Sequence, residues 1–430
     1  MKKTGLSPRP TTVQPRRLHA LAAACLTLGL ALPALGQTPP TAPAAAPAPS
    51  AAPAAAVPPT WAQGRTPEQL KLNLVPNPPG VTAAAAEDIP VKQLKVPAGF
   101  KIELWATGLP NGRSMTLSPS GVLYVGSRFT GNVYAVIDKG DHREVKVLAK
   151  GLHRPNGVAF KDGNLYVAEL ERINRYDNIE ANLDAPPAPK VIFDALPKDE
   201  PHGWKFMTLS PDGKYLYFQI GTPANIVAQP VTHAQIVRLN LDTNLLETVA
   251  SGVRNSVGMA FHPTTKELWF TNNGRDWVDE NLPNDTLNHI TAKRMNFGYP
   301  FCHQGDLLDP IYGAGRSCDE FDKPTAKLGA HVAALGMRFY TGKQFPAEYQ
   351  NNIFIAEHGS WNKSQKSGYQ VIRVVLDKQG QVVKQEPFVT GWLNNNEFWG
   401  RPVDVQQLKD GSLLISDDET GAIFRVSYGK

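Results

Sequence analysis

The chain has few cysteines, and this scarcity limits the kinds of protein it can be. Of its 430 residues, three are cysteines, at positions 25, 302 and 318, and neither a CxxC pair nor a CxxCH motif occurs. The chain therefore carries no covalently attached c-type haem of its own. Cys302 and Cys318 have 15 residues between them and most simply form a disulfide. The adjacent His303 leaves zinc binding as the alternative.

The chain also lacks an excess of positive or negative charge once residues 1–36 are set aside. Residues 1–36 hold five of the 44 basic residues and none of the 39 acidic residues, so the rest of the chain is balanced at 39 of each. A basic surface for nucleic acid is not indicated, and we expect no nucleic-acid partner.

Long apolar runs are absent except near the N-terminus, where one extends from Leu18 to Leu35. Basic residues precede this run and small residues end it, which predicts a secretory signal peptide over residues 1–36 and a periplasmic or secreted protein. A retained membrane anchor is the alternative, although the run is short for a span. The pair Arg16–Arg17 does not by itself distinguish twin-arginine from general export. No later segment is apolar enough to cross a bilayer, so we expect no transmembrane span after cleavage.

Three regions follow the predicted leader. Residues 37–60 contain eight prolines and ten alanines, a composition that cannot bury a core and predicts an extended linker. Residues 61–95 show little periodicity and form a transition segment. Residues 96–430 contain no further linker, which is long for one domain unless the architecture is a repeat.

The third region contains a repeat of short apolar strand cores that follow turn residues. Each core is preceded by another apolar strand and most are followed by a third, so the unit is typical of a propeller blade. We predict an all-β, six-bladed β-propeller of four-stranded antiparallel blades. The repeated cores are anchored at Leu123, Leu165, Leu216, Leu268, Ile353 and Leu413. The longest interval between them suggests a loop insertion from Trp277 to Leu335. In a propeller, such loops bring residues of distant blades to one end of the channel.

Polar motifs lie where the predicted strands meet loops. In PHGWKF, His202 precedes a glycine at a strand entrance, and a histidine can accept a proton from an alcohol. A surface histidine is the alternative. In GVRNSVG, Arg254 and Asn255 offer donors suited to carboxylates or quinone oxygens.

The sequence NNGRDWVDEN, from Asn272 to Asn281, suggests a calcium site. Gly274 permits a tight backbone that presents main-chain carbonyls, and Asp276, Asp279 and Glu280 are close by. Such oxygens are the ligands that calcium prefers, although this is not an EF-hand loop.

Cationic residues near the C-terminus predict an anionic ligand. They come from two blades and are His331, His358, Lys363 and Arg401.

Taken in order, these motifs resemble the soluble PQQ-dependent sugar dehydrogenases, the glucose and sorbosone dehydrogenases. The resemblance covers the whole of Val96 to Lys430. It is carried by His202–Gly203, GxRNxxG at Gly252, DEN at Asp279, NFGYP at Asn296, GMRFYTG at Gly336 and the closing RPVDV and DGSLLISDD.

The resemblance implies that PQQ binds at the end of the channel with a calcium ion. It also implies that His202 is the base for a sugar hydroxyl, that Arg254, Asn255 and Arg401 contact PQQ, and that the carbonyls of Gly274 and Arg275 bind calcium. A cytochrome c or a quinone would be the separate electron acceptor.

The chain departs from the glucose-oxidising members of that family in three places. Val403 replaces an expected arginine, Ser127 followed by Arg128 stands at the polar position of the first blade, and the lysine of the fifth blade is missing. His358 or Lys363 could substitute for that lysine. These differences are more similar to the sorbosone branch, which shares RPVDV and HGSWN. A calcium-dependent lactonase and a non-catalytic propeller that binds carbohydrate or protein remain the alternatives.

Overall fold

The computed structural model describes residues 59–228 and 232–429. The predicted signal peptide and nearly all of the predicted linker lie outside the described residues. The described chain is almost entirely strand and loop. Its helical elements are α1 (Pro67–Leu70) and short 3-10 turns at Thr60–Ala62, Ala86–Asp88, Val91–Gln93, Ile179–Asn182, Cys318–Glu320 and Ala347–Tyr349.

Six four-stranded antiparallel units form the fold, one of them extended by a short fifth strand that pairs parallel, so the predicted six-bladed β-propeller is confirmed. The first strand of the chain, β1 (Phe100–Ala106), belongs to the last blade. Blade 1 contains β2 (Gly112–Leu117), β3 (Leu123–Ser127), β4 (Val133–Asp138) and β5 (Arg143–Ala149). Blade 2 contains β6 (Gly157–Lys161), β7 (Asn164–Ala168), β8 (Ile173–Tyr176) and β9 (Lys190–Phe193). Blade 3 contains β10 (Met207–Leu209), β11 (Tyr215–Ile220), β12 (Gln235–Asn240) and β13 (Leu246–Ser251).

The other three blades follow the same order. Blade 4 contains β14 (Met259–Phe261), β15 (Leu268–Asn272), β16 (Asn284–His289) and β20 (Ala326–Ala330), and the short strands β17 (Met295–Asn296), β18 (Cys302–His303) and β19 (Leu307–Leu308) lie between its last two strands in sequence. Blade 5 contains β21 (Ala334–Phe339), β22 (Ile353–Glu357), β23 (Gln370–Leu376) and β24 (Val382–Val389), and is followed by a hairpin of β25 (Leu393–Asn394) and β26 (Glu397–Phe398). Blade 6 contains β27 (Pro402–Gln407), β28 (Leu413–Asp417), β29 (Ala422–Tyr428) and β1.

The continuous apolar runs of the repeated cores arise because both faces of each blade are buried. Successive residues of a strand point to opposite faces. In β3, Leu123 and Val125 pack toward blade 6, whereas Tyr124 packs toward blade 2. Each of the six junctions between successive blades holds its own apolar cluster. A strand that is apolar on both faces is what this arrangement requires.

The ring is closed by pairing of the two ends of the propeller. Strand β1 pairs antiparallel with β29, from Phe100 opposite Tyr428 to Ala106 opposite Ile423. The first strands of the blades contact one another around the channel, β2 against β6 and β27, and β21 against β14 and β27.

The structure corrects the interpretation of residues 277–335 as one loop insertion. Strands β16 and β20 of blade 4 lie within this segment, and the true excursion is the part between them. Strand β16 has the polar sequence NDTLNH. Its residues Asp285, Thr286 and Asn288 are buried and have hydrogen-bond partners, while Leu287 alone faces the apolar cluster. Within the excursion, Cys302 and Cys318 form the predicted disulfide, with Cα atoms 5.5 Å apart.

Over residues 59–228 and 232–429, no helix is both long enough and apolar enough to span a membrane.

Candidate active site

A cavity of about 410 Å³ lies among loops at one end of the blades. Apart from six residues of the N-terminal segment and Asp285, its lining residues lie before or at the start of the first strand of a blade or follow the second strand. In an antiparallel pair these two positions lie at the same end. The volume is within the range of sites that hold small-molecule ligands. Nine of the residues singled out in the sequence line this cavity: Arg128, His202, Arg254, Asn255, Gly274, Asp276, His331, His358 and Arg401.

His202 is held with one ring nitrogen accessible to the cavity. Its Nδ1 lies 3.0 Å from the carbonyl oxygen of Thr222, and because a carbonyl only accepts, Nδ1 carries the proton. Nε2 of the neutral ring then has a lone pair, and no hydrogen bond to Nε2 occurs within the described chain. Gly221 permits this approach, since a Cβ there would lie 2.4 Å from the carbonyl oxygen of His202.

The surroundings of His202 favour its neutral form. Burial lowers the pKa of His202 well below its usual value, and the positive charges of Arg254 and Arg128 lower it further. The backbone of His202 is left-handed, with φ of 54°. This conformation is uncommon for a residue other than glycine and is often maintained at functional sites.

Four arginines line the cavity, and two of them are held by carboxylates. Arg113 is ion-paired with Asp418, which also accepts a hydrogen bond at 2.7 Å from His358 Nε2. Burial lowers the pKa of His358 to about 3, and Arg401 acts in the same direction. Arg254 donates from Nη2 to Asp276 at 3.0 Å.

Arg128 and Arg401 form no ion pair with a carboxylate of the described residues. The guanidinium of Arg128 lies 3.4 Å from the ring centroid of Trp204. Arg401 donates to the main-chain oxygens of His358, Gly359 and Asn77, at 3.2, 3.0 and 2.9 Å. These two cations give the cavity a capacity for an anionic ligand such as a carboxylate.

His331 and Asn362 connect the cavity to the proposed calcium loop. His331 donates from Nε2 to the carbonyl oxygen of Asp279 at 2.8 Å, so its Nδ1 is the acceptor for Asn362 Nδ2 at 3.2 Å. Asn362 also donates to Asp276 at 2.7 Å. The neutral tautomer of His331 is therefore set by its neighbours.

Several polar atoms of the site have no protein partner. The buried side-chain oxygen of Asn255 receives no hydrogen bond. Within the described residues, none of the hydrogen bonds ends on the main-chain oxygen of Gly274 or Arg275, although the flanking carbonyls of Asn273 and Asp276 are both acceptors. Buried polar atoms of native proteins are normally satisfied, so the oxygen of Asn255 fits a donor supplied by a ligand, and the two main-chain oxygens are available to a cation.

Five of the residues predicted from the sequence lie outside the lining. Ser127 is fully buried and bonds with Asn132. The side chain of Arg275 is directed into an ion pair with Asp309. Asp279 accepts from the amide of Asn281, Glu280 accepts from Ser364, and Lys363 donates to Asn281 at 3.5 Å.

Some residues that line the cavity were not predicted from the sequence. Arg113 and Asn225 each follow a turn that contains glycine or proline at the end of a strand. This turn was the sequence signal by which they could have been found. Trp361 and Asn362 lie in the HGSWN motif, which was noted for its resemblance alone. Trp61 and Asn77 belong to the transition segment, whose sequence gives no periodic signal for contact with the site.

The family model for glucose/sorbosone dehydrogenases matches residues 168–425. The chain belongs to the glucose/sorbosone dehydrogenase family. An uncharacterized protein of Borreliella burgdorferi is 34% identical to this family member over 359 residues, which are 80% of this chain and 93% of that protein.

Two solved structures have the same fold as this glucose/sorbosone dehydrogenase family member. The calcium structure of the Trichoderma reesei Carbohydrate-Active Enzymes Family AA12 protein has a TM-score of 0.71 at 21% identity, covering 80% of this chain and 98% of that chain. The holo form of the pyranose dehydrogenase PQQ domain from Coprinopsis cinerea has a TM-score of 0.67 at 19% identity, covering 78% and 97%. At these identities the likeness concerns the fold.

Proposed function

We propose that the protein is an exported dehydrogenase that oxidises an aldose, an aldosone or a related sugar with PQQ and calcium. The observation that carries this proposal is the orientation of His202, whose unprotonated Nε2 is accessible to a cavity lined by cations. Family membership supports an oxidoreductase that acts on sugars, and both solved relatives carry the same propeller. The departures at Ser127 and Val403 favour the sorbosone branch.

The chemistry assigned to His202 is proton transfer. Oxidation of a hydroxyl removes the O–H proton and transfers two electrons with the C–H hydrogen as hydride. His202 Nε2 accepts the proton, because its lone pair is held ready by the bond from Nδ1 to Thr222. The lowered pKa keeps this ring in its accepting form at neutral pH. General-base catalysis of this kind contributes roughly 10²–10⁴-fold to the rate.

The residues of the cavity fit PQQ, which has several carboxylates. Of the four arginines that line the cavity, Arg128 and Arg401 have no carboxylate partner among the described residues, Arg254 lines the same cavity, and the orphaned oxygen of Asn255 can accept a hydrogen bond. His331 and His358 also line this region. Bound PQQ supplies the acceptor for the hydride. Ser127 and Lys363, which do not line the cavity, would act on the cofactor only through neighbours.

Calcium fits the unpartnered main-chain oxygens of Gly274 and Arg275, since hard carbonyl oxygens are its usual ligands. The ion would increase the electrophilicity of the accepting group. The side chains of Asp279 and Glu280, the other proposed metal ligands, are engaged with Asn281 and Ser364 and would have to leave these partners.

The lactonase alternative has less support. A calcium-dependent lactonase would use the loop carboxylates, and the side chains of Asp279 and Glu280 are engaged with Asn281 and Ser364. The electron acceptor, which we propose to be a cytochrome c or a quinone, would approach the same open end of the propeller.

The proposed function is tested by loading purified protein with PQQ and calcium and measuring dye reduction with a panel of aldoses, sorbosone and polyols. We expect sugar-dependent reduction that requires both additions. A protein that binds no PQQ yet hydrolyses a lactone in the same buffer would contradict the proposal.

A further inference from the structure

The transition segment of the sequence lies against the active site. Residues 59–79, here called the N-terminal arm, contribute Thr60, Trp61, Pro76, Asn77, Pro78 and Pro79 to the lining of the cavity. Neither the strand repeat nor the family motifs predicted this position. The arm is therefore a part of the site that comes from outside the propeller.

The arm is fixed by the same loops that carry the proposed cofactor residues. Trp277 Nε1 donates to the carbonyl oxygen of Trp61 at 2.7 Å, and Asn225 Nδ2 donates to the carbonyl oxygen of Gln63 at 2.7 Å. At the other end of the arm, Arg401 Nη1 donates to the carbonyl oxygen of Asn77 at 2.9 Å. All three acceptors are main-chain atoms, so these three hydrogen bonds do not depend on the identity of the arm's side chains.

Aromatic contacts add to this attachment. The rings of Trp61 and Trp361 meet edge to face with centroids 5.9 Å apart, and Trp277 meets Trp361 in the same way at 5.4 Å. The guanidinium of Arg65 lies 4.3 Å from the ring centroid of Trp277. Trp277 is 4% exposed and is the buried member of these three tryptophans. Trp61 and Trp361 are only partly buried, and both line the cavity.

The two sides of the cavity differ in chemistry. The arm and Trp361 present mainly indole and proline rings, whereas the propeller presents mainly arginine, histidine, asparagine and aspartate, together with Phe129 and Trp204. A ligand with an apolar face and a polar edge matches this combination, since aromatic rings bind apolar faces and the polar groups fix orientation. A pyranose ring has this form, with C–H bonds on its face and hydroxyls at its edge.

We propose that the N-terminal arm is the outer wall of the substrate site and that Trp61 determines specificity by packing against a pyranose ring. This inference rests on the proposed sugar oxidation and names the substrate class. The arm acts on the substrate side. Arg401 donates to three main-chain oxygens, one of them that of Asn77, which leaves two of its five N–H groups for the cofactor.

The test compares Trp61→Ala, Trp61→Phe and Leu70→Ala in the full chain. Leu70 is the matched control, because it lies in the same arm, is 62% exposed and does not line the cavity. Each protein is loaded with PQQ and calcium, and kcat and KM are measured for a pyranose aldose and for glycerol, which has no ring. PQQ affinity is measured separately by absorbance titration.

Loss of one stacking surface should lower kcat/KM of Trp61→Ala for the pyranose by roughly 10-fold, mainly through KM. Trp61→Phe should recover most of this loss, while kcat/KM for glycerol and the affinity for PQQ should stay within about twofold of the unmodified protein. Equal effects of Trp61→Ala and Leu70→Ala, an equal loss for glycerol, or a PQQ affinity that falls with the pyranose activity would each overturn the inference.

If the unmodified protein binds PQQ but oxidises no sugar, the proposed function fails while the arm can still be assessed. Saturation-transfer NMR then detects pyranose binding directly. The arm inference expects ring-proton signals with the unmodified protein and their loss with Trp61→Ala. Absence of binding to the unmodified protein, or unchanged signals in the variant, would overturn it.

Discussion

Arg275 and Asp309 form an ion pair that is sealed from solvent. Arg275 Nη1 lies 2.5 Å from Asp309 Oδ2, and both side chains are 0% exposed. His303 Nε2 lies 2.7 Å from the same carboxylate oxygen. Asp309 thus connects the loop that carries the proposed calcium ligands to the excursion closed by Cys302 and Cys318.

We expect this pair to make Asp309 a positioning residue for the proposed calcium site. Asp309→Asn leaves the buried guanidinium without its counter-charge, which typically costs about 3–5 kcal/mol of stability. We expect lower calcium affinity, measured by calorimetric titration with calcium, at temperatures where the variant remains folded. Asp319→Asn is the control, because Asp319 lies in the same excursion but is 91% exposed. Unchanged calcium affinity in a destabilised Asp309→Asn protein would show that the pair is purely structural.

The pH dependence of catalysis follows from the lowered pKa of His202. Since burial, Arg254 and Arg128 lower this pKa, the imidazole remains neutral as the pH falls through 6.5, the ordinary value. We expect kcat/KM to be retained across that pH and to decline only in more acidic solution. An acid limb at or above pH 6.5 would contradict the assigned environment. Arg128→Met should move the acid limb to higher pH, because it removes one of the positive charges.

Arg128 itself should contribute to binding of the anionic cofactor. Its guanidinium stacks on Trp204 and has no carboxylate partner among the described residues. Arg128→Met should weaken PQQ binding by roughly 10-fold or more, through loss of a charge-assisted hydrogen bond. A matched control is Arg143→Met, since Arg143 stacks on Trp105 at 4.9 Å but does not line the cavity. Equal PQQ affinities of the two variants would remove Arg128 from the cofactor site.

The six blades could be predicted because the propeller imposes a pattern that the sequence must show. Each blade is buried on both faces, so cores such as Leu123–Val125 are apolar without interruption. Strand β16 was hidden in the predicted insertion because five of its six residues are polar, and three of these, Asp285, Thr286 and Asn288, are buried. Their burial is stabilised by hydrogen bonds, including one from Gly274 N to Asp285, and such partners are set by the tertiary fold rather than by local pattern.

Part of the candidate site could also be predicted, because the propeller places its strand–loop junctions at one end. His202 and Arg254 lie at strand–loop junctions of one end of the propeller, where any residue is close to the channel. Ser127 and Lys363 lie at comparable positions, but whether a side chain enters the cavity depends on its neighbours, as Asn132 and Asn281 show. The N-terminal arm could not be predicted, because main-chain carbonyls provide its polar anchors.

We propose that His202 is the base for oxidation of a sugar by bound PQQ. Anaerobic addition of the sugar to protein loaded with PQQ and calcium, followed by cofactor absorbance, measures that step in a single turnover. His202→Ala is compared with the unmodified protein and with His262→Ala, a histidine outside the cavity. We expect unchanged PQQ binding in both variants. Reduction of PQQ by the sugar should be at least about 100-fold slower in His202→Ala and unchanged in His262→Ala. Equal rates of reduction in His202→Ala and the unmodified protein would contradict it.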